Sequence, residues 1–330
     1  MRQGSVSSGI FFNCYCNRLI KRLRELGTGC TVGNEFCGVF VYCDDIFLLS
    51  ASRSGLQSLM TTCQNFANDN NLKFSTNNIP AKSKSKCIIF SKNAAHRLNV
   101  SPIMLDGNPL PWVTNVKHLG HVFDCDNSMY SDTRLKRGQF IGKINSLQQE
   151  FYFVNPAVKV DLFDKYACSY YGSNLYDLFC HETERIYCAF NVAIRQAYSL
   201  PFNSHRYLIQ PLLQRPHLKN QLCSRFVKYV KNNDNCNKPV IRLLSALCKS
   251  DNRTTYCKNL VNIANECDIE VSNLTHNDVK TSMSYFPITS NQEWRVDLLL
   301  NIISIKCDNL NINNFDNDEL NEILHYVCTS

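Results

Sequence analysis

Residues 38–50 read GVFVYCDDIFLLS. The apolar run GVFVY precedes two adjacent carboxylates, Asp44 and Asp45, and a second apolar run, IFLLS, follows them. β-Branched and aromatic runs flanking an Asp pair read as strand, tight turn, strand, with the carboxylates at the bend. Adjacent carboxylates repel each other, and burying either one unpaired is costly. A plain polar turn is one explanation, because Asp is common in turns. A bound dication is another, because its charge removes the repulsion. Mg²⁺ prefers hard oxygen ligands and takes one or two carboxylates together with substrate phosphates. The stretch alone leaves both readings open.

Working outward, residues 9–26 (GIFFNCYCNRLIKRLREL) have helical spacing, with Leu19, Leu23 and Leu26 toward a core and Arg18, Lys21, Arg22 and Arg24 outside. Gly27 and Gly29 mark the helix end. After the hairpin, Ser52 or Ser54 can cap a second helix that carries Leu56, Leu59, Met60, Cys63, Phe66 and Ala67 at helical spacing. LKFS and KCIIFSK read as short strands joined by a lysine-rich link, and VKHLGHVFD as a strand or tight hairpin pivoting at Gly120. The first third therefore indicates an α/β or α+β sheet domain. Beyond residue 130, RLKRGQFIGKINSLQQEFYF, VKVDLFDKYACSYYGSNLYDLF and RIYCAFNVAIRQAYSL carry helical periodicity, and the last hundred residues are mostly helical in pattern.

Composition narrows the class. A hydrophobic fraction of 44% is that of a folded globular chain. No apolar stretch approaches the ~20 residues of a membrane span, and the N-terminus lacks a signal-peptide layout, so the expected address is intracellular, nucleus or cytoplasm, with no membrane partner. The 18 cysteines are scattered without zinc-site spacing and read as reduced thiols, mostly small core hydrophobes. Charge is uneven: residues 185–258 hold 13 Lys/Arg against 2 Asp/Glu, whereas residues 259–330 hold 3 against 11. A basic block suits a polyanionic partner such as RNA or DNA, or it faces the acidic section within the chain.

Four ordered stretches carry a family likeness: RQGSVSSGIFFNCY at residues 2–15, YCDD at 42–45, AKSKSKCIIF at 81–90 and VKHLG at 116–120. In order and spacing they resemble the reverse transcriptase of a non-LTR (LINE-type) retrotransposon, and the likeness extends over residues 1–225. The resemblance implies an α+β fold. Residues 1–92 would form the C-terminal part of a right-hand polymerase palm, residues 93–128 the primer-grip region, residues 129–200 a helical thumb and residues 201–330 a helical extension, basic then acidic.

The same resemblance implies an RNA-directed DNA polymerase that uses Mg²⁺, an RNA template, a DNA primer and deoxynucleoside triphosphates. Asp44 matches the metal-binding carboxylate, Asp45 its less directly engaged neighbour, and Tyr42 the aromatic residue that opens the box. Arg2, Gln3 and Gly4 match the block lying against template and incoming nucleotide. Lys84 best fits a lysine able to act as general acid toward pyrophosphate. Lys82 and Lys86 are substitutes, and all three also fit a solvated charge run. Leu119 and Gly120 match the primer grip. Arg134, Lys136, Arg137 and Lys143 fall on the first thumb helix, where they imply contact with the nucleic-acid backbone or form an ordinary exposed face.

The departures are Gly9 where the family usually has Pro, Ser7 where it has a larger apolar residue, and Cys43 for the more frequent Ala. The family also uses a metal-binding aspartate upstream of the RQG block, and no aspartate precedes Asp44 here. The expectation is an N-terminally truncated polymerase; the alternative is a catalytically inactive nucleic-acid-binding remnant. HRYLIQPLLQRPHLKNQLCSRFVKYVK at 205–231 mixes cations with aromatics, which suits base stacking and phosphate contact and suits core packing as well. His181, His205 and His217 read as packing or surface histidines.

Overall fold

The computed structural model of the chain describes residues 8–282 except 78, 80, 81, 169, 203, 205–208 and 210–215. Helix and sheet are mixed, and the chain divides into two compact units: Met1–Ser128 with Asn233–Leu247, and Met129–Asn232 with Cys248–Ser330. No helix among the described residues is long and apolar enough to cross a membrane.

In the first unit, α1 (Ser8–Glu25) buries Cys16, Leu19 and Leu23, spaced three and four residues apart as one face of a helix requires. Leu26 differs from expectation and is 39% exposed, because the helix has ended and Gly27 turns the chain at φ +64°. Helix α2 (Arg53–Asp69) starts at Ser52, whose hydroxyl accepts from the Gly55 N–H at 3.1 Å. It buries Leu59, Cys63 and Phe66 against Leu19 and Leu23, and the Arg22–Asp69 ion pair at 3.0 Å spans the two helices.

Ten short strands follow a local logic. They are β1 (Thr31–Val32), β2 (Glu35–Phe36), β3 (Val39–Tyr42), β4 (Asp45–Leu48), β5 (Cys87–Ile88), β6 (Ile103–Leu105), β7 (Asn108–Leu110), β8 (Trp112–Val113), β9 (Asn115–His118) and β10 (His121–Asp124). Among the described residues each pairs with one partner, β5 with β8 in parallel and the others as antiparallel hairpins. Val39, Ile46 and Leu48 lay the β3–β4 hairpin on the α1–α2 core. At its base the Phe36 ring fills the space beside Gly29 and Gly38, where an added Cβ would lie 2.9 and 2.6 Å from ring carbons.

A second small core joins Cys87, Ile103, Leu105 and Leu110 with Leu56, Met60, Phe74 and Trp112. The β6–β7 hairpin was not anticipated, although Asp106-Gly107 at φ +52° and +72° has the mirror-image turn chemistry that such hairpins favour. Gln57 of α2 serves as a substitute strand for β6: its Oε1 accepts from the Met104 N–H at 2.8 Å and its Nε2 donates to the Met104 carbonyl at 3.0 Å. LKFS is not a strand; of its residues, Phe74 reaches the core while Leu72 and Lys73 stay exposed.

The second unit is helical. Its elements are α3 (Tyr130–Glu150), α4 (Pro156–Leu162), α5 (His181–Ala197), α6 (Leu218–Asp234), α8 (Thr255–Cys267) and α9 (His276–Ser282); α7 (Pro239–Ser250), between α6 and α8 in the chain, falls mostly in the Asn233–Leu247 segment of the first unit. One core gathers Phe140 and Ile144 of α3, Phe190 and Ile194 of α5, Phe226 of α6 and Ile263 of α8. The periodic stretch 158–179 is not one helix. It passes through a π turn at Phe163–Ala167 and breaks where Tyr170 and Gly172 take φ of +39° and +80°. The irregular backbone that follows is buried, and Asn259 satisfies it: its Nδ2 donates to the Tyr176 carbonyl at 2.7 Å, and its Oδ1 accepts from the Leu178 N–H at 3.0 Å.

Candidate active site

Pairing of Tyr42 with Asp45 leaves a two-residue turn, Cys43 and Asp44, with Cys43 at φ +51°. The two carboxylates therefore differ in setting, Asp44 in the turn itself and Asp45 as the first residue of β4. Both are exposed, so this fold does not incur the desolvation cost that their apolar flanks suggested. Neither side chain has a hydrogen-bond or ion-pair partner among the described residues.

Alternation along the strands sorts the rest. Val39, Val41, Ile46 and Leu48 share the inner face; Phe40, Tyr42, Asp45 and Phe47 share the outer one. Phe40 and Tyr42 are 48% and 63% exposed. Phe47 stacks on His118 of β9, ring centroids 5.3 Å apart and planes 29° from parallel. That contact couples the carboxylate hairpin to the β9–β10 hairpin, whose turn is Leu119 at φ +45° and Gly120 at φ +80°. Two stretches some seventy residues apart in the chain thus meet. Neither Phe47 nor His118 was singled out from sequence; the signal available was the period-two alternation that sets Phe47 opposite Phe40 once the turn is fixed.

Other expected site residues are spread more widely. Lys82, Lys84 and Lys86 are all exposed, and among the described residues none bonds to Asp44 or Asp45, so the geometry does not single out Lys84. Arg2, Gln3 and Gly4 lie outside the described residues. On α3, Lys136 and Lys143 are seven residues apart and share a side, whereas Arg134, about 200° from Lys136, lies nearly opposite. Arg137 falls between them. Lys136 has its Nζ 5.5 Å from the centroid of the Tyr171 ring.

Residues 1–123 match the family described as reverse transcriptase (RNA-dependent DNA polymerase). A 61-residue stretch is 39% identical to a retrovirus-related Pol polyprotein from the type-1 retrotransposable element R2 of Nasonia vitripennis. Residues 1–123 are thus similar to reverse transcriptases. The stretch shared with the R2 polyprotein is 18% of this chain and 6% of that protein's length. The reverse transcriptase segment takes in the YCDD hairpin and the Leu119–Gly120 turn.

The family is divalent-metal dependent. Two exposed carboxylates without protein partners fit a Mg²⁺ ion that draws its remaining ligands from substrate phosphates and water. They do not by themselves make a two-ion cage, since no cluster of three or more His, Cys, Asp or Glu side chains placed for a metal occurs among the described residues. The cysteines offer none: all sixteen described are free, and eight of them are buried.

Proposed function

We propose that this chain is part of the RNA-directed DNA polymerase of a non-LTR element, residues 1–92 contributing palm, 93–128 primer grip, 129–200 the thumb and 201–330 a helical extension. The observation that carries the reading is the YCDD hairpin, which holds Asp44 and Asp45 exposed and unpaired at one end of a face bound to the Leu119–Gly120 hairpin through Phe47 and His118.

In this reading Asp44 is the metal carboxylate and Asp45 assists it. Asp44 and Asp45 would hold Mg²⁺, whose charge would supply activation of a primer 3′-hydroxyl and stabilisation of a leaving pyrophosphate. The protein's own contribution is position. Hydrogen bonding along β3 and β4 holds Asp45 opposite Tyr42, and packing of Val39, Ile46 and Leu48 on the helices fixes the hairpin. The turn at Leu119 and Gly120 offers backbone to the primer strand. Arg2, Gln3 and Gly4 serve template and nucleotide, Lys84 is the proton donor to pyrophosphate, and Lys136 and Lys143 meet the duplex backbone. The family's further aspartate completes the metal set.

Primer extension on an RNA template tests this. Residues 1–330 alone are expected to incorporate no nucleotide. Fusing polymerase sequence with the further aspartate ahead of residue 1 is expected to give Mg²⁺-dependent synthesis. In that protein Asp44→Asn lowers the rate by at least about a hundredfold, on the scale of lost transition-state charge stabilisation, and Asp45→Asn by less. Synthesis by the fused protein that is indifferent to Asp44→Asn overturns the assignment.

A further inference from the structure

The helical unit carries a cleft of about 330 Å³ that none of the roles above uses. One wall is the turn at Tyr170–Asn174; the other is the side of α6 that presents Arg225, Lys228, Tyr229 and Asn232. The α6 residues recur at intervals of three and four, so they form one face of the helix. Residues from the thumb helix α3 and from the cation-rich 205–231 stretch, read separately in the sequence, converge here, because Lys136 sits over Tyr171.

The turn is built to display Tyr171. Tyr170 is buried with its ring 5.6 Å from that of Phe140, and Ser173 is buried on the other side. Left-handed backbone at Tyr170 and Gly172 flanks Tyr171 and leaves it 59% exposed. Burial is the main cause that raises the Cys168 thiol and the Tyr170 phenol; Asp164 adds to it, and Arg225 acts on both in the opposite sense. Lys228 and Lys136 add further cationic charge around the exposed ring.

A partly exposed aromatic ring ringed by Arg and Lys, with an amide at the edge, is the chemistry that stacks a base and neutralises its phosphate. The volume is at the small end of ligand pockets, roughly 300–1,000 Å³, too small for a duplex groove contact and enough for one nucleotide. We propose that this cleft binds one unpaired nucleotide of a single strand, with the base on Tyr171 and the phosphate between Arg225 and Lys228. The proposal deepens the polymerase reading by giving the helical unit a single-strand subsite distinct from duplex contact, and it does not depend on Asp44.

The test is fluorescence anisotropy of the full chain with labelled single-stranded RNA, single-stranded DNA and a duplex of equal length. Tyr171→Ala is expected to weaken single-strand binding about tenfold, and Tyr171→Phe to restore it, which separates stacking from misfolding. Arg225→Gln with Lys228→Gln should flatten the salt dependence by about two ions. A strand with every base removed should bind more weakly and be indifferent to Tyr171→Ala. RNA binding alone, or RNA and DNA alike, supports the subsite. Equal losses on duplex and single strand, or unchanged binding by Tyr171→Ala, overturn it. Asp44→Asn should bind single strands normally, so failure of the polymerase reading and failure of this one remain distinguishable.

Discussion

Phe47 and His118 stack face to face, centroids 5.3 Å apart, and this contact joins the carboxylate hairpin to the Leu119–Gly120 hairpin. Aromatic pairs of this kind contribute about 0.5–1.5 kcal/mol beyond area burial. A double-mutant cycle of Phe47→Ala and His118→Ala in urea unfolding of the full chain should return a coupling in that range. In a polymerising protein, either change should raise the KM for primer–template while the Mg²⁺ requirement stays as it was. A coupling of zero would mean the hairpins are held together by something else.

The face assignment on α3 makes the charge argument more specific. If duplex contact runs along the side that carries Lys136 and Lys143, neutralising these two should flatten the dependence of duplex affinity on log[salt] by one to two ions. Arg134→Gln should change it little. The reverse ranking in a filter-binding titration would put the nucleic acid on the opposite side of the helix.

Buried thiols give the chain an alkaline weakness. Burial pushes Cys63, Cys168 and Cys223 from an ordinary 9.0 up to about 12. The unfolded chain therefore loses these protons first, so stability is full below pH 9 and declines as pH rises from 9 toward 12. Urea midpoints at pH 8 and pH 10.5 should differ in that direction, and less so in a Cys63→Ala, Cys168→Ala, Cys223→Ala protein. Exposed Cys14 and Cys188 should be alkylated in the folded chain, with the three buried thiols silent until denaturant is added.

Tyr176 is fully buried, and its hydroxyl donates to the Asp132 carboxylate at 3.0 Å, which pushes the phenol pKa well up, with burial the larger cause. Tyr176→Phe removes a donor from a carboxylate that is itself fully buried. The expected loss is about 1.5–3 kcal/mol in thermal or urea unfolding, typical of a hydrogen bond to a charged group. A neutral effect would show that the remaining partners of Asp132 satisfy it.

How far the sequence could be read depended on the range of the signal. Local patterns sufficed for α1, α2 and the β3–β4 and β9–β10 hairpins, where period and turn chemistry agree. They misjudged 158–179, because the left-handed residues Tyr170 and Gly172 interrupt a pattern whose apolar spacing continues regardless, and Asn259, some eighty residues on, makes the break tolerable. Exposure of Asp44 and Asp45 was also out of reach, since apolar flanks in a two-stranded hairpin bury only one face. The Tyr171 cleft depends on contacts between residues far apart in the chain, which no window of sequence contains.

Phe36 stands at the base of the YCDD hairpin with its ring against Gly29 and Gly38. A methyl group at either glycine collides with the ring, and a smaller residue at 36 leaves a hole beneath the hairpin. These three positions therefore cannot drift singly. Relatives that depart from Gly at 38 should carry a smaller side chain at 36, whereas Gly29, at φ +110°, should stay glycine whatever residue 36 is, so paired changes at 36 and 38 would mark sequences in which a working hairpin is kept.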